Sequence, residues 1–260
     1  MALRQWGIYR RRAAPKAPGA PLSLYFLPHP RPLLELHNVQ KVYRPSGWLA
    51  GGVETPALQD VSLHVAAGDF VAIMGPSGCG KSTLLNVLGL LDTVDGGRYL
   101  FDGTDVTRFS ERQRDLFRQP RIGFVFQDFN LIDELTVYQN VELPLVYARV
   151  PAAERRQRVE AVLERLQLRH REQHRPGQLS GGQQQRAAIA RAVVSEPRLL
   201  LADEPTGNLD SANGEAVMRL LTDLNEAGMT VVMVTHSEPD ALYAHRTVRL
   251  HDGQVLLTTH

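Results

Sequence analysis

A chain of 260 residues with 43% hydrophobic content is long enough for one compact unit, or a core carrying a subdomain. Its unbroken apolar runs are only a few residues long, far short of the ~20 needed to span a bilayer. The net charge of +1 is unevenly spread: residues 1–33 carry Arg4, Arg10, Arg11, Arg12, Lys16 and Arg31 and no acid, leaving a mildly acidic remainder without the surface of a general nucleic-acid binder. The Pro-, Ala- and Arg-rich head, residues 1–32, reads as a basic, disordered or weakly ordered extension. It lacks the apolar centre of a secretion signal, and a weak membrane-surface contact through its Arg cluster is the functional alternative. Next, Lys41-Val42-Tyr43 alternates as a strand should, and Arg44–Glu54, with its Pro, Ser, Trp and Gly residues, loops out before Leu58 and a second strand.

Phe70–Met74 then reads as a buried strand and Thr83–Leu88 as a helix, with GPSGCGKST (Gly75, Pro76, Ser77, Gly78, Cys79, Gly80, Lys81, Ser82, Thr83) between them. Glycines at these places let successive backbone N–H groups turn inward around phosphate oxygens, and the helix N-terminus adds free donors and a positive dipole end. Lys81 is placed to reach the β- and γ-phosphates of a nucleotide, and the Ser82 hydroxyl to ligate Mg²⁺. Cys79, the only cysteine, excludes an intrachain disulfide and suits a reducing compartment; inside the loop it reads as a small residue that fits.

Further along, Phe124–Asp128 is a strand end carrying Gln127. Asn130–Arg149 is apolar with polar breaks, and Ala152–Gln167 is an amphipathic helix with Val159, Val162, Leu163 and Leu166 on one face. His170–His174 (HREQH) holds two histidines with no further ligand nearby and reads as a solvated linker rather than a metal site. Leu179, Ser180, Gly181, Gly182 and Gln183 precede a helical pattern predicted over Gln183–Ser195, where two glycines and a serine make a second anion site. Leu199–Ala202 is a continuous apolar run ending in Asp203 and Glu204. It suits a central parallel strand whose carboxyl end binds ligand, with Asp203 placed to hold Mg²⁺ through water. In an extended strand, Glu204 would point away from Asp203. Asn208-Leu209-Asp210 follows, and His236 comes after Met229–Thr235, a Val- and Met-rich strand.

LSGGQ at Leu179–Gln183 resembles the signature of the ATP-binding cassette (ABC) family, and the other motifs stand in that family's order. The resemblance covers about Leu33 to the C-terminus. It implies an α/β fold: a P-loop NTPase of ABC type, with a RecA-like core on a mostly parallel sheet, an antiparallel β subdomain and an α-helical subdomain, here about 128–179 of a nucleotide-binding domain at 33–260. It also implies roles for single residues. Tyr43 stacks on adenine. Gln127 is the Q-loop glutamine, in contact with Mg²⁺ or water. Glu204 is the general base, His236 the switch residue at the γ-phosphate, and Asp210 belongs to the D-loop. In the family the signature of one subunit closes over ATP held by another. One copy of each motif therefore implies a homodimer, or a heterodimer with a related subunit, that hydrolyses ATP with Mg²⁺.

Three phrases, Thr55–Leu63, Ile122–Gln127 and Ala202–Asp210, are similar to the macrolide-exporter and lipoprotein-release branch. That branch implies a peripheral ATPase on the cytoplasmic face of the cell membrane, driving a separate permease. A cell-division relative, which controls an enzyme outside the membrane without transport, is the alternative that sequence leaves open.

Overall fold

The computed structural model describes residues 32–44 and 54–259. The basic head, residues 1–31, and most of the loop expected over Arg44–Glu54 lie outside the described residues. In chain order the elements are β1 (Pro32–Tyr43), β2 (Thr55–Ala66), β3 (Phe70–Met74), α1 (Lys81–Leu88), β4 (Gly96–Phe101), β5 (Thr104–Asp105), α2 (Glu111–Arg118) and β6 (Ile122–Val125). They continue with α3 (Val137–Tyr147), α4 (Ala152–Arg165), α5 (Gly181–Val193), β7 (Leu199–Asp203), α6 (Ser211–Glu226), β8 (Thr230–Val234), α7 (Glu238–Ala241), β9 (Arg246–His251) and β10 (Gln254–Thr259).

Six strands form one sheet in the order β10-β9-β3-β8-β7-β6, parallel throughout except for the antiparallel edge strand β10. Four others form an antiparallel sheet, β2-β1-β4-β5. The alternation of side chains along a strand explains why the central strands are apolar without a break. Val71 and Ile73 of β3, Leu199 and Leu201 of β7, and Val232 and Val234 of β8 face one cluster, shared with α1 and with Leu34, Leu36, Val61 and Phe101 of the antiparallel sheet. Phe70, Ala72, Met74, Leu200, Ala202, Val231 and Met233 face the other, shared with α3, α4, α5 and α6. A polar residue at any of these places would leave a buried group without water, at a cost of about 1–3 kcal/mol.

Several boundaries differ from those expected. The first helix starts at Lys81, not Thr83, because Gly80 adopts φ +102° and serves as its N-cap. α5 runs Gly181–Val193 rather than Gln183–Ser195, because the Ser180–Gln183 capping box makes Ser180 the N-cap, so that Gln183 is already the third residue of the helix. α4 stops at Arg165, two residues short of Gln167, which has φ +58° and so cannot continue a helix. β2 begins at Thr55, ahead of Leu58, and β1 already at Pro32.

Residues 128–179 hold α3, α4 and two short 3₁₀ turns. The HREQH stretch is no free linker. The carbonyls of Glu172 and His174 accept hydrogen bonds from Tyr138 N–H (2.9 Å) and Val137 N–H (2.8 Å), satisfying the orphan donors of the first turn of α3. Among the described residues no helix is long and apolar enough to cross a membrane.

Candidate functional site: the carboxyl ends of the central strands

Adjacent parallel strands bring their carboxyl ends together, so three of the chain's motifs meet although far apart in sequence. β3, β8 and β7 are neighbours in that order, with Ile73 beside Val234 and Val234 beside Asp203. Thr235 N–H donates to the Ile73 carbonyl (3.1 Å), and Glu204 N–H to the Val234 carbonyl (2.9 Å). The loop Gly75–Gly80 therefore leaves the sheet next to His236, which in turn lies next to Asp203 and Glu204.

The loop's shape depends on its glycines at points of close approach. A Cβ on Gly80 would collide with the Ala57 carbonyl as well as oppose the positive φ. Cys79 is buried, and its N–H donates to the Pro76 carbonyl (3.3 Å). Lys81 folds back across the loop, its Nζ donating to the carbonyls of Gly75 and Pro76, 2.9 Å each. Pro76, Ser77 and Gly78 are exposed, Ser82 is exposed in the first turn of α1, and Thr83 beside it is half-buried.

At the end of β7 the two carboxylates diverge, but not through strand alternation. β7 ends at Asp203, and Glu204 takes φ +44°, an uncommon backbone conformation for a residue with a side chain. That turn delivers a Glu204 carboxylate oxygen to within 2.9 Å of His236 Nδ1, with the Glu204 side chain 23% exposed and that of His236 68% exposed. Burial and the neighbouring charge of Glu204 raise the pKa of Asp203, and the Lys81 cation opposes them. A half-buried carboxylate, with the Ser82 hydroxyl on the adjoining helix, offers oxygen donors suited to a hard divalent ion.

Gln127 lies after β6, at the far edge of the same sheet. Its Nε2 donates to Asn208 Oδ1 (3.2 Å), while Asn208 Nδ2 donates to the Gln127 carbonyl (3.2 Å) and to Asp128 Oδ1 (2.8 Å). The segment after Glu204 is thus tied to the loop of Gln127 within one chain. Asp210 caps α6: its carboxylate accepts from Asn213 N–H and Nδ2, both at 2.8 Å, and these bonds hold its pKa below the usual carboxylate value.

Asn213 reaches back to the start of α5. A Cβ on Gly182 would collide with the Asn213 carboxamide, so the start of α5 can lie against α6 only with glycine there. Ser180 Oγ accepts from Gln183 N–H (3.4 Å) and Gln183 Oε1 from Ser180 N–H (3.0 Å). That capping box leaves the Gly181 and Gly182 N–H groups as the free donors of the helix end. Leu179 is buried just before it. Among the described residues no hydrogen bond joins Leu179–Gln183 to Gly75–Thr83.

Tyr43, at the end of β1, is 43% exposed. Its hydroxyl donates to Asp92 Oδ2 (3.0 Å), and Lys41 Nζ, 5.4 Å from the ring centroid, donates to Asp92 Oδ1 (2.6 Å). Burial alone would raise the Asp92 carboxyl, but the bonds from Lys41, Thr93 N–H and Tyr43 outweigh it and hold its pKa low. Asp92 and Lys41 therefore set the pose of the Tyr43 ring, which motif reading does not disclose.

Sequence reading also misses Gln185. It is 0% exposed, and its Nε2 donates to the Pro205 carbonyl (2.6 Å) and more weakly to the Phe126 carbonyl (3.5 Å). One carboxamide on α5 thus holds the residue after Glu204 and the residue before Gln127. A glutamine among three in a row, Gln183–Gln185, carries no signal of this; only its buried position on the helix does. Gln185→Leu leaves the buried Pro205 carbonyl unpaired, which costs about 1–3 kcal/mol. The expected result is a fall of roughly 2–12 °C in the thermal midpoint, checked by calorimetry.

Comparison with known proteins gives the family. Residues 58–207 match the family described as ABC transporter. The chain is 49% identical over 228 residues to the macrolide export ATP-binding/permease protein MacB of Brucella melitensis, covering 88% of this chain but 34% of that protein. It is 47% identical over 224 residues to an uncharacterized ABC transporter ATP-binding protein of Methanocaldococcus jannaschii, covering 86% of this chain and 98% of that one. The chain thus spans about a third of the length of the MacB relatives. A solved dimeric structure of the ATP-binding cassette MJ0796, in a post-hydrolysis state bound to ADP and Pi, superposes with a TM-score of 0.79 at 44% identity, covering 87% of this chain and 97% of that one. With a family match across more than half its length and relatives well above 40% identity, the chain belongs to the ABC transporter family, in the group of its ATP-binding proteins.

Proposed function

We propose that this protein binds and hydrolyses ATP as one half of a head-to-tail dimer and so drives a membrane permease. The observation that carries the reading is the Glu204–His236 pair, 2.9 Å apart at the carboxyl ends of neighbouring strands, beside the loop of Lys81. Backbone N–H groups of Gly78–Thr83 cradle the phosphates, and Lys81 moves from the Gly75 and Pro76 carbonyls to the β- and γ-phosphates. Asp203 and Ser82 would hold Mg²⁺, and Gln127 would contact the ion or its water. Bound there, Mg²⁺ neutralises phosphate charge. Glu204 accepts a proton from the attacking water, and His236 orients that water and senses the γ-phosphate. The ring of Tyr43 stacks on adenine.

The second anion site serves the partner's nucleotide. The free N–H groups of Gly181 and Gly182, with Ser180, complete the shell around ATP held by Gly75–Thr83 of the second chain. Leu179 packs beneath them, and Asp210 lines the contact. That the similar cassette MJ0796 is dimeric supports a pairing of two chains. ATP-driven closure draws together the α-helical parts, about 128–179, which face the permease on the cytoplasmic side of the membrane. The name of the MacB relatives joins ATP binding to a permease and to export, and that supports an export-type assembly over purely regulatory use.

A mixing experiment tests the composite site. At an ATP concentration that fills the parent site but not the weakened one, Lys81→Ala and Ser180→Arg chains each turn over little ATP alone, because each dimer lacks a working half in both sites. Mixed, they form heterodimers with one intact site and regain ATP turnover. No recovery on mixing, with both variants folded, contradicts the two-chain site.

A further inference from the structure

Far from the nucleotide site, three metal-ligating side chains converge on the outer face of the antiparallel sheet. In the β1/β2 pairing Glu35 stands opposite His64, and His37 lies two residues along β1 from Glu35 on the same face. The alternate residues Leu34, Leu36, Leu63 and Val65 are buried in the core, so a one-residue slip of either strand is blocked and the face presented is fixed. Asn38, with φ +49°, bulges after His37, and its N–H donates to Ser62 Oγ (3.0 Å), anchoring that end of the face to β2.

The side chains already lie close. The His37 and His64 rings meet edge to face with centroids 5.4 Å apart, and His37 Nε2 is 3.7 Å from a Glu35 carboxylate oxygen. One ligand atom from each of the three lies within 4.8 Å of the other two. Ligands about 2.0–2.2 Å from a tetrahedral ion stand roughly 3.3–3.6 Å apart. Rotations of part-exposed side chains, with no backbone movement, close that gap. Nearby cations are engaged elsewhere: Arg98, opposite His37 on β4, binds Asp105 (2.7 Å), and Arg246 donates to the His64 carbonyl and lies 3.6 Å from Asp69.

We propose that Glu35, His37 and His64 form a binding site for Zn²⁺ that clamps β1 to β2. Two imidazoles and one carboxylate match the ligand preference of zinc, with water in the fourth position; Mg²⁺ and Ca²⁺, which favour all-oxygen shells, are the wrong class. The clamp sits on the strand whose other end bears Tyr43, and it uses none of the residues assigned to ATP.

The test is calorimetric titration of the full chain, stripped of metal by chelator and free of nucleotide, with ZnCl₂. One saturable equivalent is expected. His37→Ala and His64→Ala should each weaken it by at least about tenfold. The control His170→Ala/His174→Ala should leave it unchanged. Zn²⁺ should raise the thermal midpoint of the parent protein but not of the His37→Ala/His64→Ala double variant. The replaced side chains are part-exposed, and ATP affinity equal to the parent's shows that this variant is folded. Absence of saturable Zn²⁺ binding, or binding of parental affinity in the double variant, overturns the proposal.

Discussion

Glu204→Gln is expected to lower ATP turnover by about 100- to 10,000-fold, the range typical for removing a positioned general base, while leaving ATP binding intact. This corresponds to about 3–5 kcal/mol of lost transition-state stabilisation. The amide keeps the size of the side chain and can still hydrogen-bond His236, so the loss is of proton acceptance rather than of structure. The backbone is equally committed: Glu204 N–H is bonded to the Val234 carbonyl, and the Glu204 carbonyl accepts from Gly207 N–H (3.0 Å). The turn at φ +44° is therefore held by its surroundings and not by the carboxylate. Steady-state turnover with separately measured ATP affinity checks this. Normal turnover would remove Glu204 from the reaction.

Lys81→Ala is expected to act on binding. In the structure the ammonium group satisfies two loop carbonyls, and in the proposed complex it exchanges them for phosphate oxygens. Charge-assisted bonds of this type are worth about 1.5–3 kcal/mol each. Part of that is already present before ATP arrives, so the net loss in affinity is about tenfold to a hundredfold. Equilibrium ATP binding measures it, and a thermal scan separates it from loosening of the loop. Unchanged affinity and turnover would contradict the assignment of Gly75–Thr83.

The fold was largely legible in the sequence. Unbroken apolar runs at Phe70–Met74 and Leu199–Ala202 are what strands covered on both faces require, and both are central in a parallel sheet. The order of the strands was not legible, because β3 pairs with β8 and β9 across more than 150 residues and no local pattern records a partner that distant. Motif spacing located the loop of Lys81 and the Asp203–Glu204 pair, since those residues serve a local turn or strand end. It misjudged the path between the two carboxylates, taking them as successive strand residues, because the left-handed turn at Glu204 depends on its bond to β8. Gln185 and Asn213 escaped notice, and the tie from Asn208 to Gln127 stayed hidden inside its motif, for a similar reason. Each is an ordinary polar residue whose importance appears only when a second element closes on it: Pro205 on Gln185, Gln127 on Asn208, Gly182 on Asn213. His170–His174 looked like a solvated linker because its polar side chains gave no hint that its carbonyls cap α3.

The most direct measurement is the solution mass of the Glu204→Gln protein by light scattering, with and without ATP and Mg²⁺. A monomer that becomes a dimer only when both are present is the predicted result, since each ATP would then be held between Gly75–Thr83 of one chain and Ser180–Gln183 of the other. The same mass under both conditions, with ATP shown to be bound, would contradict the composite site.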